Sequence, residues 1–358
     1  MKIVFFIGQM QSGGAEKIIA ILANHYCNDL KWSVEIVLLL GNSLNQDLFH
    51  LDNRIKVVDM SRKGSSYLRN SIGWVCSIRN YIKDTKPNCI VSFIGRINAL
   101  VLTSSLGLNV PTLVSERNDP KHDGRGKLML KYCNLIYRRA KAIVHQTKYE
   151  ESCFSKALSY KSHIIPNPAV ELEYDNKETI DNLIITTGRL TPQKNQLMLV
   201  KAIEKIAPEI NVRCEIYGDG VQREELQSYI DNHKLSSSVI LMGSKPNVSK
   251  YVSKCSVFVM TSYFEGLSNS IIEALMLGKP CISTRYPGAD EIVQDGYNGA
   301  LVDIDNVDQL AEEIKYILLD KELQSKLSKN AKLSSQRYTY SNVIKEWDEV
   351  IFKMLNKN

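Results

Sequence analysis

The sequence predicts an α/β protein made of two doubly wound, Rossmann-like domains. The chain has 358 residues, more than the roughly 250–300 residues at which a single hydrophobic core usually stops growing. Short runs rich in valine and isoleucine alternate with longer helical patterns, which is typical of parallel strands covered by helices. This alternation stops at Pro166-Asn167-Pro168 and a polar stretch to Asn182, and then starts again. The break indicates a linker between two cores.

The first domain is predicted to span residues 1–166. Its continuous apolar runs predict strands that are buried on both faces, as in a parallel sheet. The strands are expected near residues 2–8, 33–40, 55–59, 88–93, 111–115 and 142–146. The helices between them are expected near residues 14–28, 67–84, 96–107, 125–140 and 148–158.

The second domain is predicted to span residues 167–340, with the same alternation. The strands are expected near residues 183–188, 212–217, 238–242, 256–261, 280–284 and 299–302. The helices are expected near residues 194–207, 221–233, 268–278 and 307–319. Doubly wound sheets bind ligands at the carboxyl ends of their strands. The active site is therefore expected in the cleft where the two domains face each other.

A last helix is predicted over residues 341–356. It carries apolar residues at helical spacing, which are Val343, Trp347, Val350, Ile351 and Met354. Such a helix should bury one face, and the first domain is a candidate partner for it.

Composition is typical of a soluble globular protein, with 44% hydrophobic and 23% charged residues. The apolar runs Ile3–Ile7 and Ile36–Leu40 are far shorter than the roughly 20 residues of a membrane span. The eight cysteines stand singly, without the spacing of a zinc site. We therefore expect a cytosolic protein with reduced thiols and no metal site, neither exported nor spanning a membrane.

The charge is distributed unevenly along the chain. Residues 1–170 carry 23 Lys and Arg against 12 Asp and Glu, and the remainder carries 22 against 27, so the two parts are +11 and −5. One polar stripe at helical spacing lies within the basic region 117–148 and consists of Lys127, Lys131, Asn134, Arg138 and Lys141. Such a helix either packs on its own domain or docks on anionic lipid headgroups. Nucleic acid is not expected as a partner, because no aromatic-interleaved RNA motif or helix-turn-helix accompanies the charge.

A glycine pair follows the first predicted strand. Gly13 and Gly14 lie in the segment from Gly8 to Glu16 that opens the first helix. Glycines let the backbone approach a ligand closely, and free N–H groups at the start of a helix favour an anion such as phosphate. The spacing matches neither G-x-G-x-x-G nor a P-loop. A tight strand-to-helix turn is the alternative.

Charged residues flank two connections of the second domain. Arg189 follows a predicted strand directly after Gly188, and Lys194 begins the next helix. An anionic group could lie between these two cations. Further on, Glu265 in a loop and Glu273 on the following helix are separated by seven residues. Two carboxylates at one sheet edge can accept hydrogen bonds from two hydroxyl-bearing groups, whereas a solvated Glu273 on the outside of the helix is the alternative.

Together these segments resemble the family-4 retaining glycosyltransferases of GT-B fold. Glu265 to Glu273, with Gly266-Leu267 after the first glutamate, is similar to the E-x7-E motif of that family. Three further segments resemble its N-terminal glycine loop, its interdomain segment and its diphosphate-binding pair, in that order: Gly13-Gly14-Ala15-Glu16, Ile165-Pro166-Asn167-Pro168, and Gly188-Arg189-Leu190 with Lys194-Asn195. The resemblance covers almost the whole chain and implies a GT-B fold, in which two Rossmann-like domains face each other across a cleft.

The resemblance also implies roles on the donor side. Arg189 and Lys194 would grip the diphosphate of a nucleotide sugar and offset the charge on the leaving group, so that no metal is needed. Glu273 would accept hydrogen bonds from the nucleotide ribose. The transferred sugar and the adjoining donor atoms would be held by Glu265, the backbone of Gly266 and Leu267, Gly188 and Ser268.

On the acceptor side, Ser115-Glu116-Arg117-Asn118-Asp119-Pro120 resembles a segment of the bacterial polysaccharide members of the family. Many relatives have a His after the Glu, where this sequence has Arg117. Glu116 would orient or deprotonate the acceptor hydroxyl, while Arg117 and Asn167 would bind substrate. His145 ends a predicted strand and is either a further substrate contact or a hydrogen-bonded core histidine.

The implied function is the transfer of a hexose or N-acetylhexosamine from a nucleotide sugar to an undecaprenyl-diphosphate-linked oligosaccharide, in surface polysaccharide, O-antigen or glycan biosynthesis. UDP-N-acetylgalactosamine is the first candidate donor. The anomeric configuration would be retained, no cofactor would be required, and the enzyme would work at the cytoplasmic face of the inner membrane as a peripheral protein. Two alternatives stay open: a GDP-mannose-dependent mannosyltransferase, and a non-hydrolysing UDP-sugar epimerase on the same scaffold.

Overall fold

The computed structural model describes residues 1–10, 14–41, 50–61, 67–169 and 179–356, with the backbone alone for residues 67–70. The chain divides into two compact units. The N-terminal unit contains Met1–Pro168 and Val343–Asn358, and the C-terminal unit contains Ala169–Asn342. The chain therefore passes twice from one unit to the other. The first passage lies within two residues of the domain boundary that the sequence predicts.

The described strands of the N-terminal unit form one seven-stranded parallel sheet in the order β3-β2-β1-β4-β5-β6-β7. Their bounds are Lys2–Ile7 (β1), Ser33–Leu38 (β2), Lys56–Asp59 (β3), Cys89–Phe93 (β4), Thr112–Ser115 (β5), Ala142–His145 (β6) and Ser162–Ile164 (β7). The order reverses between β1 and β4, which is the topological switch point of a doubly wound sheet.

Within the described residues, the helices of this unit are Gly14–Asn28 (α1), Tyr67–Thr85 (α2), Gly95–Ser104 (α3), Gly126–Ile136 (α4), Lys148–Ser152 (α5) and the C-terminal helix, Tyr340–Asn356 (α12). Helices cover both faces of the sheet. Ile3, Phe5 and Ile7 of β1 pack in one cluster with α1 and α12. Val4 and Phe6 point the other way and pack in a cluster with α2 and α3. This alternation explains why β1 is apolar at every position.

The helix α12 packs on the N-terminal unit although the chain reaches it from the C-terminal unit. The five apolar residues that the sequence places on one face are all buried. The Trp347 ring stacks on Phe93 with 5.9 Å between ring centroids. At the edge of the contact, the His25 ring nitrogens lie 2.7 Å from Asp29 Oδ2 and 3.1 Å from Asp348 Oδ2. The predicted amphipathic helix is therefore present and buries the predicted face.

The described strands of the C-terminal unit form a six-stranded parallel sheet in the order β10-β9-β8-β11-β12-β13. Their bounds are Leu183–Thr187 (β8), Arg213–Tyr217 (β9), Val239–Gly243 (β10), Val257–Met260 (β11), Cys281–Thr284 (β12) and Gly299–Val302 (β13). The helices of this unit, over its described residues, are Gln196–Ile206 (α6), Arg223–Asn232 (α7), Ser249–Val252 (α8), Asn269–Met276 (α9), Val307–Leu319 (α10) and Lys321–Ser335 (α11). Both sheets thus follow the same doubly wound pattern, as the sequence predicts.

The sequence prediction is wrong or incomplete at four elements. The strand β7 and the helices α8 and α11 were not expected, and the predicted helix near residues 148–158 ends at Ser152. A short 3₁₀ helix follows at Lys156–Lys161, because Ser155 caps a new turn by accepting a hydrogen bond from Ala157 N. The helix α11 buries only Leu327, Ala331 and Ser335, so its periodic signal is weak. Over the described residues, the structure contains no helix with the length and apolar character of a membrane span.

Candidate functional site

The C-terminal unit brings its predicted site segments to one edge of its sheet. The strand order reverses between β8 and β11, which pair in parallel through Val257 with Ile184 and Phe258 with Ile185. The segments that follow these two strands therefore leave the sheet side by side. One of them contains Gly188 to Lys194, and the other leads to Glu265. Ligand sites of doubly wound sheets lie at this position.

An ion pair joins the two segments. Lys194 Nζ lies 2.6 Å from Glu265 Oε1, and the two side chains are 15% and 12% exposed. Gln193 holds the segments together, since its Nε2 donates to the carbonyl of Phe264 and its carbonyl accepts from Tyr263 N, both at 2.8 Å. Each ionic group keeps hydrogen-bonding capacity beyond the pair, because an ammonium has three donors and a carboxylate has two acceptor oxygens. The pair can therefore bind an anion and a hydroxyl at the same time.

Arg189 lies on the same edge with an exposed side chain. No hydrogen bond or ion pair engages its guanidinium within the described residues. Gly188 has φ +152°, and a Cβ atom at this position would lie 3.4 Å from Lys194 Cε. That distance is an ordinary contact, so it is the positive φ, rather than crowding by Lys194, that favours glycine here.

One component of this edge was not expected from the sequence, the segment Gly218-Asp219-Gly220 that follows β9. A Cβ atom on Gly218 would lie 1.8 Å from the Gly188 carbonyl oxygen, and one on Gly220 would lie 2.4 Å from the Leu190 carbonyl oxygen. The Leu190 N–H donates to the Asp219 carbonyl at 2.9 Å. The two glycines thus allow backbone to pack on backbone beside Arg189. The sequence signal that could have revealed it is the pair of glycines around Asp219, directly after the predicted strand 212–217.

The helix α9 begins at this edge. Ser268 is its N-cap, because its Oγ accepts a hydrogen bond from Ile271 N, and this hydroxyl is buried. The Leu267 side chain is buried in the apolar cluster of the unit, and Gly266 is half-buried. Glu273 lies in the second turn of the helix and is half-buried. The expected contacts of Gly266, Leu267, Ser268 and Glu273 with a donor stay predictions, and for Ser268 the side chain is already engaged in capping.

The segment Asp303-Ile304-Asp305 precedes α10 without capping it, since the N-cap is Asn306, which accepts from Gln309 N. Instead Asp305 Oδ1 accepts from Asn195 Nδ2 at 3.0 Å and from the Tyr263 hydroxyl at 2.8 Å. Asp305 therefore braces the two segments that carry Lys194 and Glu265. No cluster of three or more His, Cys, Asp or Glu side chains that could hold a metal occurs in the part of the chain that the structure describes.

In the N-terminal unit, the predicted acceptor-side residue Glu116 is completely buried. Arg125 Nη1 and Nη2 donate to its two carboxylate oxygens at 3.0 and 2.5 Å, and the Tyr137 hydroxyl also contacts Oε1. Arg125 in addition donates to Asp123 Oδ2 at 2.8 Å. A Cβ atom on Gly95 would lie 2.3 Å from the Arg125 guanidinium, so this glycine makes room for the ion pair. In this arrangement Glu116 fastens the loop before α4, which does not favour the predicted role as a base.

The other three acceptor-side candidates are buried as well. Arg117 is 6% exposed, His145 0% and Asn167 4%. Arg117 Nη1 donates to Asn167 Oδ1 at 3.1 Å, and its guanidinium carbon lies 5.2 Å from the Trp347 ring centroid. Burial, followed by the charge of Arg117, lowers the pKa of His145 to about 3, so His145 is neutral near pH 7. Of the two alternatives for His145, a core histidine agrees with its complete burial and lowered pKa.

Of the predicted glycine loop, Gly13 lies outside the described residues, and Gly14 is half-buried as the first residue of α1. The neighbouring switch-point connection contains a second feature that the sequence did not reveal. Ile94, between β4 and α3, has φ +73°. Positive φ is strained for a β-branched residue, and such strain clusters at functional sites. The carboxyl edge of β1 and β4 is therefore the candidate acceptor edge of this unit.

The predicted basic helix near residues 125–140 is shorter in the structure, since α4 ends at Ile136 and a 3₁₀ turn follows at Tyr137–Arg139. Only Lys127, Lys131 and Asn134 of the predicted stripe therefore lie on α4. Lys127, Lys131, Arg138 and Lys141 are exposed, whereas Asn134 is half-buried. The sequence did not predict that Leu128 and Leu135 on the same helix are 83% and 61% exposed, with Tyr132 at 39% between them. The exposed side of α4 therefore combines basic and apolar residues.

The two doubly wound sheets have the architecture of the GT-B fold, and two solved structures share it over nearly their whole length. The structure of Anabaena HepE in complex with UDP and glucose matches 98% of this chain and 99% of that chain, with a TM-score of 0.81 at 20% identity. The lipopolysaccharide outer core galactosyltransferase WaaB in its apo form matches 99% of both chains, with a TM-score of 0.81 at 17% identity. The predicted GT-B fold is thereby confirmed.

Residues 171–334 of the chain match the family "Glycosyl transferases group 1". Two relatives from Campylobacter jejuni match almost the whole chain. The GalNAc-alpha-(1->4)-GalNAc-alpha-(1->3)-diNAcBac-PP-undecaprenol alpha-1,4-N-acetyl-D-galactosaminyltransferase is 27% identical over 99% of this chain and 99% of its own length. The N-acetylgalactosamine-N,N'-diacetylbacillosaminyl-diphospho-undecaprenol 4-alpha-N-acetylgalactosaminyltransferase is 26% identical over 94% and 95%. These findings confirm the resemblance that the motifs indicated.

Proposed function

We propose that the protein transfers N-acetylgalactosamine from UDP-N-acetylgalactosamine to an undecaprenyl-diphosphate-linked oligosaccharide. The observation that carries the proposal is the Lys194–Glu265 pair at the switch point of the C-terminal sheet, 2.6 Å apart. A cation beside a carboxylate suits a ligand that has an anionic diphosphate next to a sugar rich in hydroxyls. The choice of sugar and acceptor is supported by the two full-length relatives, whose names specify this sugar and this kind of acceptor. A donor with UDP is also supported by the HepE complex.

On the donor side, Lys194 would place its free N–H groups against the diphosphate, with Arg189 as a second cation. Negative charge grows on the leaving diphosphate as the sugar departs, so cations positioned there stabilise the transition state more than the ground state. Glu265 would hold Lys194 in place through Oε1 and accept a sugar hydroxyl with Oε2. Glu273 would accept from the ribose. In this scheme the two side-chain cations stabilise the charge of the leaving diphosphate, which a bound metal ion does in other transferases.

We expect the product to keep the anomeric configuration of the donor. Glu265 is the one carboxylate of this edge within ion-pair distance of a predicted phosphate ligand, Lys194, among the described residues. A double displacement would require a nucleophilic carboxylate about 5 Å from a second carboxyl group. Departure and attack on one face of the sugar, guided by the leaving phosphate, needs no such nucleophile. An inverted linkage in the NMR spectrum of the product would exclude this mechanism.

The donor assignment is tested with a panel of nucleotide sugars. The enzyme is incubated with UDP-N-acetylgalactosamine, UDP-N-acetylglucosamine, UDP-glucose or GDP-mannose, with and without a synthetic undecaprenyl-diphosphate-linked oligosaccharide. We expect acceptor-dependent UDP release and an extended lipid-linked product with the first donor. Preferential use of GDP-mannose would support the mannosyltransferase alternative. Formation of an epimeric UDP-sugar without acceptor would support the epimerase.

The acceptor lipid also implies contact with a membrane, and we propose that α4 supplies it as a peripheral site on the cytoplasmic face. Lys127 and Lys131 would lie near anionic headgroups, while the exposed Leu128 and Leu135 would enter the boundary of the acyl region. Arg138, just after the helix, adds to the positive charge. Basic residues near an anionic surface contribute about 1 kcal/mol each.

Vesicle sedimentation tests this contact. Replacing Lys131, Arg138 and Arg139 with Gln should weaken binding to phosphatidylglycerol vesicles by roughly 100-fold, by the same estimate of about 1 kcal/mol per charge. The matched control removes three exposed lysines of the C-terminal unit, Lys245, Lys250 and Lys254. Leu128→Gln should weaken binding without a change in charge. Equal binding by wild type, the triple variant and the control would exclude α4 as the contact.

A further inference from the structure

A second pocket of the C-terminal unit lies at the opposite edge of its sheet. The cavity has a volume of about 260 Å³, and Thr179, Ser256, Lys279, Lys321, Ser325 and Ser328 are among the residues that line it. Ser256 directly precedes β11, and Lys279 lies two residues before β12. The pocket therefore opens at the amino ends of strands whose carboxyl ends lead to the donor edge. It is separate from the site of Lys194 and Glu265.

Lys279 is the central feature of this pocket. It is 5% exposed, and its Nζ donates to Thr179 Oγ1 at 3.2 Å. No carboxylate of the described residues lies within ion-pair distance of its ammonium. Burial lowers the pKa of Lys279. The nearby Cys255 thiol acts to raise the pKa of Lys279, and the Lys332 ammonium acts to lower it. A buried ammonium without a counter-ion is costly, and an anion bound in the cavity would offset that cost.

Residues with hydroxyl groups line the same pocket as the Lys279 ammonium. Ser325 and Ser328 are three residues apart on α11 and so lie on one face of that helix. Thr179 belongs to the segment before β8. These hydroxyl groups therefore come from two elements of the unit.

A second cation stands at the rim. Lys321 Nζ lies 2.6 Å from Asp181 Oδ1, but the two side chains are 56% and 79% exposed. Ion pairs at such exposure contribute little, so Lys321 can turn toward an anion at small cost. The lining thus contains two lysines against one aspartate, together with several hydroxyl groups.

We propose that this pocket binds a phosphoryl group, carried by inorganic phosphate or by a small phosphate monoester. Lys279 neutralises part of the charge as a point cation, and the hydroxyls of Thr179, Ser325 and Ser328 donate to the remaining oxygens. A phosphoryl group fits better than a carboxylate, because it has three terminal oxygens for donors that arrive from three elements.

The site is tested by calorimetric titration of the full chain with inorganic phosphate and, separately, with glycerol 3-phosphate. Chloride keeps the ionic strength constant, and saturating UDP is present so that phosphate does not report on the donor edge. Lys279→Gln removes the ammonium and keeps most of the side chain. Lys329→Gln is the matched control, an exposed lysine on α11 that does not line the pocket. Ser328→Ala removes one hydroxyl at a position where alanine suits a helix.

We expect saturable binding to the wild type and to Lys329→Gln, at least tenfold weaker binding to Lys279→Gln, and a severalfold loss in Ser328→Ala. In phosphate-free buffer, Lys279→Gln should melt at the same or a higher temperature than the wild type, because it removes an uncompensated buried charge. Tighter binding of glycerol 3-phosphate than of phosphate would identify an ester as the occupant, and the reverse would identify the free ion. Equal phosphate binding in wild type and Lys279→Gln, or unchanged binding in Ser328→Ala, would overturn the proposal. So would binding that Lys194→Ala abolishes, since that result would locate the anion at the donor edge.

Discussion

The two units share the order of their first six strands, but the charged residues at the edges of their sheets differ in burial and in partners. In the C-terminal unit, Lys194 and Glu265 are partly exposed and pair with each other on two loops. In the N-terminal unit, Glu116 and Arg117 are at most 6% exposed and pair with groups of their own unit. A charged residue just after a strand can therefore either face a ligand or hold the loops that form the edge. Burial and partners, rather than residue type, separate the two cases.

The largest expected effect tests the structural side of this comparison. Glu116→Gln removes the carboxylate of a fully buried ion pair. Arg125 then keeps its ion pair with Asp123 but loses the one with Glu116. Removing one partner of a buried pair costs about 3–5 kcal/mol, so the free energy of unfolding should fall by about that amount in urea titrations followed by circular dichroism. Glu209→Gln, at an exposed pair with Lys315, should change it by less than about 1 kcal/mol. If Glu116→Gln kept the unfolding free energy of the wild type but lost turnover, the predicted role of Glu116 as a base would be supported.

The second effect tests the ligand-facing side. Lys194→Ala should leave the fold intact and reduce kcat, because the variant loses a cation next to the leaving diphosphate. The expected loss of transition-state stabilisation is about 2–4 kcal/mol, or roughly 30- to 1000-fold. Steady-state kinetics with the preferred donor measures it. Lys205→Ala, at an exposed pair with Asp308 on the same unit, is the control and should behave as wild type. A Lys194→Ala enzyme with nearly normal turnover would contradict the donor-site assignment.

The smallest effect concerns the attachment of α12 to the N-terminal unit. Burial on its own would lower the pKa of His25, but the carboxylates of Asp348 and Asp29 outweigh it and raise the pKa. A histidine with a raised pKa contributes stability fully below its unfolded pKa of about 6.5 and loses that contribution as the pH rises through the folded pKa. Thermal melting between pH 6 and 8.5 should show this loss in the wild type, of at most about 1 kcal/mol.

His25→Gln should remove that pH dependence. His233→Gln, at a more exposed pair with Glu204, should leave it unchanged. If the melting temperatures of the wild type and of His25→Gln changed with pH in parallel, protonation of His25 would not contribute to the attachment of α12.

Much of the fold follows from local pattern. The strands β1, β8 and β11 are continuous apolar runs because helices cover both faces of each sheet, and that burial leaves a periodic trace in the sequence. The helix α11 leaves a weaker trace, since only three of its fifteen residues are buried. Gly218 and Gly220 were overlooked for a different reason, because their need for glycine arises from the approach of Gly188 and Leu190, which are distant in the chain.

The sequence by itself determined the two doubly wound sheets, the resemblance to a glycosyltransferase family, and the presence of cations after β8 and of glutamates after β11. These features depend on hydrophobic periodicity and on motifs that keep their order along the chain. Only the tertiary structure decided that Glu116 pairs with Arg125, that Leu128 and Leu135 face solvent, and that Lys279 lines a cavity with no carboxylate of the described residues within ion-pair distance. Burial and ion pairing depend on contacts between residues far apart in sequence, so they cannot be inferred from the order of residue types along the chain.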